Sequence, residues 1–485
     1  MKRFLILLTI FLVASAAFAV DWQTNPVFLR GVDKNTIFTS YRATFGSGDL
    51  ANKSHSLGFN SYETHLRADK DIYSHSLYVG YVNILSPDMN FGVFATHDLL
   101  LGDVGGTFYQ VPTNALANYY IDRYASESRN NTSRIDLVLA REVSDKVAYG
   151  ASFNFVWTDS ANVSTYDTLD TDALSGGRNA KYTEYKNKYY FGGTAGLAYV
   201  PTKNLELDFA IEAGGYFGDN IYKEDIFNYT GSSETYTFDN EGDLNGFFIR
   251  GEIDGSYLIS KKANLPFMFS YTFENGLEDY GGFGTYDGVT VSPYYKHYDQ
   301  HYRSHTIKAG AGLNYAPTKN VGIYAWGYYK YYTGLSNIYS LSDEHYAGFN
   351  ISQMYSDIIY NNHTIGLSVG VSYAVNKDFI LSTGVNYNYT FINLNQVQEN
   401  YRNLGLWSWY DYTGNGYSEY LDLKFAAYYT MKNFKFGIVT MIPLVADSSY
   451  DLGGTNSANM FLPDPIRSAS DRRDYSIILT LSYSF

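Results

Sequence analysis

From His363 to Val375 the chain alternates without a break. Ile365, Leu367, Val369, Val371, Tyr373 and Val375 fall on one side, and Thr364, Gly366, Ser368, Gly370, Ser372 and Ala374 on the other. A period of two marks a β-strand whose two faces meet different surroundings. The next stretch repeats it, with Phe379, Leu381, Val385, Tyr387, Tyr389 and Phe391 set against Ser382, Gly384, Asn386, Asn388 and Thr390. Comparable runs of about 11 to 14 residues recur through the chain, among them Ile307 to Tyr315, Leu205 to Ala213 and Phe247 to Ile259. Helical periodicity appears nowhere at similar length.

The connections carry a second regularity. Short turns bearing Lys, Asn or Asp sit at Ser86-Pro87-Asp88, Ser144-Asp145-Lys146, Pro201 to Asn204, Ser260 to Asn264, Pro317 to Asn320, Asn376-Lys377-Asp378 and Lys432-Asn433. Between them lie polar stretches of roughly 25 to 30 residues, at 102–131, 158–187, 218–245, 277–303, 334–362, 393–416 and 444–473, which read as long loops. Compact domains rarely hold even one structureless loop of that size. Short turns on one rim and long connections on the other match a membrane barrel with trimmed periplasmic turns. A strand facing hydrocarbon cannot leave its backbone groups unpaired, so the sheet has to close. The non-apolar face is mostly Gly, Ser, Thr, Asn and Ala, as crowding around a lumen requires, whereas a soluble sandwich would load it with Lys and Glu.

The expected fold is therefore all-β, a transmembrane antiparallel up-and-down barrel. About 16 strands are counted from Ser54 to Phe485, with 18 as the alternative. Residues 1–19 read as a cleaved signal peptide: Lys2 and Arg3, an apolar stretch, then Ala17-Phe18-Ala19. Residues 20–53 form an N-terminal segment, either a plug or an extra strand pair, and 54–485 the barrel. Composition narrows the classes further. The 485 residues include 51 Tyr, 43 Gly and no Cys, are 17% charged and carry a formal net charge of −14. That excludes intrinsic disorder, disulfides and thiolate metal sites. An acidic chain without a basic cluster is not expected to bind nucleic acid.

The last strand, with Tyr475, Ile477, Leu479, Leu481, Tyr483 and Phe485 on one face, resembles the C-terminal β-signal of bacterial outer-membrane proteins. The resemblance implies an outer-membrane location, a periplasmic C-terminus and recognition of Tyr483 and Phe485 by the barrel-assembly machinery. The element Asn25-Pro26, followed by Leu29 and Gly31, is similar to the Asn-Pro element near the N-terminus of FadL-type transporters of hydrophobic substrates.

Alternation assigns lumen positions. Asp136, Glu206, Asp208, Glu212, Arg250, Glu252, Asp254, Lys308, Asp422 and Lys424 are expected to point inward and set selectivity, and the excess of acids suggests a mild preference for cations. Tyr324, Trp326 and Tyr328 also alternate onto the lumen side, while Trp407 and Trp409 fall in an outer loop. Stacked rings at these places are candidates for guiding a sugar or an aromatic solute. His297, Asp299, His301 and His305 are close in sequence, but strand spacing and Arg303 oppose a shared metal, and none is assigned. No nucleophile motif, P-loop or H-E-x-x-H is present, so neither catalysis nor a cofactor is expected. Partners are then outer-membrane lipid, small solutes and further copies of the chain. The leading functional expectation is passive diffusion of small hydrophilic solutes. The alternatives are a FadL-like transporter of hydrophobic substrates and a non-conducting surface protein that binds through its loops.

Overall fold

The computed structural model describes residues 25–56, 62–112, 120–171, 178–228, 235–287, 292–344, 350–402, 406–456 and 466–485. The expected signal peptide lies outside them. Sixteen strands are described: β1 (Thr36–Ser56), β2 (Tyr62–Ser86), β3 (Met89–Pro112), β4 (Tyr120–Ser144), β5 (Val147–Thr171), β6 (Arg178–Thr202), β7 (Leu205–Asn228), β8 (Thr235–Ser260), β9 (Ala263–Asp287), β10 (Ser292–Tyr315), β11 (Val321–Glu344), β12 (Asn350–Ala374), β13 (Phe379–Arg402), β14 (Leu406–Met431), β15 (Phe434–Asn456) and β16 (Ile466–Ser484). Each pairs antiparallel with its neighbours in sequence, and β1 pairs with β16 to close the barrel. Closure leaves no unpaired edge, the condition for a sheet in hydrocarbon. No helix among the described residues is long and apolar enough to cross a membrane.

β1 runs across the 53/54 boundary expected from the sequence. Its Thr36 stands opposite Ser484 of β16, and the Phe485 N–H donates to the Asn35 carbonyl at 2.9 Å, so both ends of the wall meet at the short-turn rim. Upstream of β1 lies a 3₁₀ turn, Pro26–Gly31, which packs against the inner wall. The wall therefore takes in Thr36 to Ser56, and among the described residues the part of the N-terminal segment that packs inside it is this turn.

The outer face carries an apolar band. On β12, Ile365, Leu367 and Val369 are about half exposed (52%, 52% and 53%), while the inward Ser372 is buried. Such exposure of large aliphatics is a liability in water and a requirement against acyl chains. Tyr81, Tyr149, Tyr199, Tyr257, Tyr315, Tyr373 and Tyr429 lie exposed near the short turns, forming one aromatic girdle at headgroup level. This closed, greasy-sided sheet is the architecture of a bacterial outer-membrane barrel.

The long loops expected from the sequence are mostly strand. Strands run from 19 residues (β16) to 26 (β8 and β14), whereas about 9–11 tilted residues suffice to span a bilayer. The remaining length of each strand continues the hydrogen-bonded ladder beyond the membrane. Apolar alternation fades there because neither face meets lipid, and backbone pairing needs no apolar side chains. Five of the seven short turns hold two residues, as at Pro87-Asp88 and Lys432-Asn433.

The Pro87-Asp88 turn offers a test of local electrostatics. The Ser86 hydroxyl donates to Asp88 Oδ1 at 2.6 Å and Arg141 Nε donates to Asp88 Oδ2 at 3.0 Å. The Ser86 hydrogen bond and then the guanidinium hold this carboxyl below the usual carboxylate range. A lowered folded-state pKa contributes stability above the unfolded value, lost as pH falls through the folded one. Asp88→Asn should cost a small amount of stability at neutral pH and nothing in strong acid, read from urea midpoints at several pH values. Equal costs at both extremes would contradict the ion pair.

Candidate functional site: the lumen wall and its plug

The 3₁₀ turn sits at the short-turn end against β3, β4, β5 and β6. Asn25 caps it, its side-chain oxygen accepting from Val27 N–H at 3.2 Å. Leu29 is fully buried among Val82, Phe94, Val138 and Ala140, and Val27 among Ala148 and Ala198. The Asn90 amide donates to the carbonyls of Leu29 and Val32, each at 2.9 Å, satisfying backbone that the turn leaves free. Arg30 completes the seat by donating to Glu206 Oε1 at 2.5 Å, with Asp208 at 4.0 Å. At Gly150 a Cβ would come within 2.7 Å of the Pro26 and Val27 backbone, so only glycine lets the turn lie this close to β5.

Above the seat the inner wall carries paired charges, most of them on β4 to β9. Arg134 bonds Asp136 at 2.7 Å. Arg250 bonds Glu252 and approaches Glu212 at 4.0 Å. Lys186 bridges Glu184 and Glu278, both at 2.9 Å, and Lys296 reaches Glu224 at 2.9 Å. Asp422 accepts from Asn386 at 2.8 Å, with Lys424 two residues along on the same face. Asp254 and Lys308 also lie on inward positions of β8 and β10. All ten residues assigned to the lumen from the sequence occupy the inner wall. Pairing of this kind removes much of the bare negative field behind the expected cation preference, because a matched carboxylate offers little to a passing ion.

The rest of the wall is aromatic. Tyr190 stacks on Phe248 with centroids 5.0 Å apart, and Tyr280 on Tyr298 at 4.6 Å. The hydroxyls of Tyr216 and Tyr302 bond each other, and Lys188 Nζ sits 3.4 Å from the Tyr216 ring centroid. On β11, Tyr324, Trp326 and Tyr328 follow one another along the inner face. A Cβ at Gly370 would fall 2.4 Å from the Tyr324 ring and one at Gly366 2.0 Å from that of Tyr328. Both rings therefore lie against glycines of β12 on the inner wall, where any larger residue would collide with them. Tyr328 donates to Asn388 Oδ1 at 2.7 Å, which fixes its tilt. Trp407 and Trp409, expected in an outer loop, belong to β14 opposite Tyr401 and Glu399 of β13; their side chains lie outside the described residues.

The remaining candidates disperse. His297, Asp299, His301 and His305 share the outer face of β10, where separate partners on β9 engage three of them: Asp279 (3.5 Å), Asn275 (3.1 Å) and Tyr271 (2.8 Å) respectively for His297, His301 and His305. No metal-holding cluster is found among the described residues. His97 faces outward and meets Ser133 Oγ at 3.1 Å, whereas its sequence neighbour Asp98 faces inward. At the C-terminus, Tyr483 packs on Phe434 (4.5 Å) and on Phe485 (5.7 Å) at the short-turn rim.

Sequence reading missed the plug's seat and the rings at Tyr190, Tyr216 and Tyr302. The seat had a signal. Leu137-Val138-Leu139-Ala140 and Val93-Phe94-Ala95 are apolar on both faces, which a water-facing inner wall would not be. Where alternation fails in this way, something covers the lumen side.

No family model matches the chain, and no curated protein matches it. Among solved structures it is similar to the Pseudomonas putida toluene transporter TodX, at 11% identity over 96% of this chain and 94% of that one, with a TM-score of 0.43. It is also similar to a Pseudomonas aeruginosa FadL homologue (12%, 97% and 94%, TM-score 0.42) and to the Ralstonia pickettii toluene transporter TbuX (12%, 96% and 93%, TM-score 0.37).

Proposed function

We propose that this barrel is an outer-membrane channel for small apolar and aromatic solutes, closed at its periplasmic end by the N-terminal turn. The row Tyr324, Trp326 and Tyr328 along the inner face of β11, each ring set against glycines of a neighbouring strand, carries this reading. Such rings take up a planar solute by dispersion and edge-to-face contact and hold it only weakly, which a conduit needs. The seated turn and the paired wall charges favour this over free diffusion of hydrophilic solutes. An open aqueous pore has no use for a buried, salt-bridged plug. Tyr475 to Phe485 would present the assembly machinery with its signal, and the apolar band would contact lipid directly.

The test is uptake of benzyl alcohol and of a sugar of similar size into proteoliposomes, beside single-channel conductance. The aromatic solute should enter several-fold faster than the sugar. Tyr324→Ala with Tyr328→Ala should remove most of that advantage. A large, salt-proportional conductance with equal uptake of both solutes would overturn the proposal in favour of an open pore.

A further inference from the structure

Lys308 of β10 and Lys330 of β11 are direct cross-strand partners on the inner wall. Like charges placed opposite each other in a sheet are destabilising. Neither ammonium forms an ion pair among the described residues. Lys308 Nζ instead lies 4.9 Å from the Tyr328 ring centroid, and Lys330 is exposed to the lumen. Their sector explains why no carboxylate answers them. Where side chains are described, the inner faces of β10 to β13 carry Lys296, Lys308 and Lys330 and no acid at all. Lys296 is taken by Glu224. Glu252, the nearest acid along the Lys308 row, stands two strands away beyond Ser270, about 10 Å off, and is held by Arg250. Asp254 lies on the same strand as Glu252, two strands from Lys308. Arg134, Arg250, Lys186 and Lys296 are matched by carboxylates within hydrogen-bonding reach; Lys308 and Lys330 stand directly opposite each other without one.

We infer that Lys308 and Lys330 form an anion-binding station in the lumen, taking the carboxylate of a small aromatic acid whose ring rests on Tyr328 and Trp326. The inference rests on the proposed aromatic conduit and narrows its cargo. Tyr328 is two residues from Lys330 on the same face, so a carboxylate between the ammoniums places an attached ring directly over it. Ser270 stands beside Lys308 and Thr364 beside Lys330, so small hydroxyl side chains and no acid border the pair. Lysines suit a station better than arginines would. A flexible point charge attracts an anion without the bidentate grip that slows release.

The test is a fluorine NMR titration of the folded, full-length protein in detergent, at a pH where the acid is ionised. The probes are 4-fluorobenzoate and the neutral 4-fluorobenzyl alcohol, with octanoate as competitor. Wild type should bind the acid at least fivefold more tightly than the alcohol, and octanoate should displace it poorly. Lys308→Gln with Lys330→Gln should remove the acid's advantage while the alcohol binds as before. Lys308→Arg with Lys330→Arg should restore binding. Heat-modifiable migration on gels confirms that each variant is folded. If acid and alcohol bind wild type equally, or the double Gln variant keeps its preference, the station is wrong while the conduit stands. Ready displacement by octanoate also overturns it, because the ring would then not be read. If neither fluorinated probe binds, the conduit itself fails.

Discussion

Leu29→Asp should turn a largely closed barrel into an open one, raising single-channel conductance more than about tenfold. Leu29 has no exposed surface and packs on Val82, Phe94, Val138 and Ala140. Burying its side chain and that of Val27 contributes roughly 1.5–3 kcal/mol each, with an ion pair from Arg30 to Glu206 added. An aspartate in the same pocket would have no cation beside it, since Arg30 is already engaged. An uncompensated buried carboxylate costs several kcal/mol, comparable to the whole seat. Each 1.4 kcal/mol shifts the seated-to-released ratio about tenfold. The barrel should survive, because its ladders from β1 to β16 do not pass through the turn. Heat-modifiable migration should be normal, with conductance alone changed. Unaltered conductance in a folded Leu29→Asp protein would show that the turn is a wall ornament and not a plug.

The second large effect is on stability. Val369→Arg should reduce folding stability in lipid by about 2–4 kcal/mol, the cost of a charged side chain near the bilayer midplane of a barrel wall. Val369 lies midway between Ile365 and Tyr373 on the outer face of β12. Its neighbour Ser368 points inward and bonds Asn386 at 2.6 Å. Ser368→Arg therefore places the same guanidinium in the wet lumen one residue away and should cost far less. Urea titrations in phospholipid vesicles measure both. Equal costs would mean that the two faces of β12 do not differ in solvent, which would remove the ground for a membrane barrel.

The contrast between Val369 and Ser368 also shows why so much could be read directly. Period-two alternation reports which face meets lipid, because a one-residue shift moves a side chain from hydrocarbon to water. The same rule placed Asp136, Glu212, Glu252 and Tyr324 on the inner wall, since lumen and lipid differ as strongly as any two environments a strand can meet. It failed beyond the membrane, where both faces are wet and the extended hairpins of β3 with β4 or β7 with β8 look like loops.

What the chain determined by itself was the alternation, the turns and the aromatic ends of the strands, all local properties carried by neighbouring residues. Which charges pair was decided only in three dimensions. Arg30 meets Glu206, 176 residues away, and Lys296 reaches Glu224 across 72 residues of chain. The seat under Leu29 is likewise assembled from three strands distant in sequence. Contacts between remote segments depend on how the sheet closes, and no local pattern encodes the closure register that brings them together.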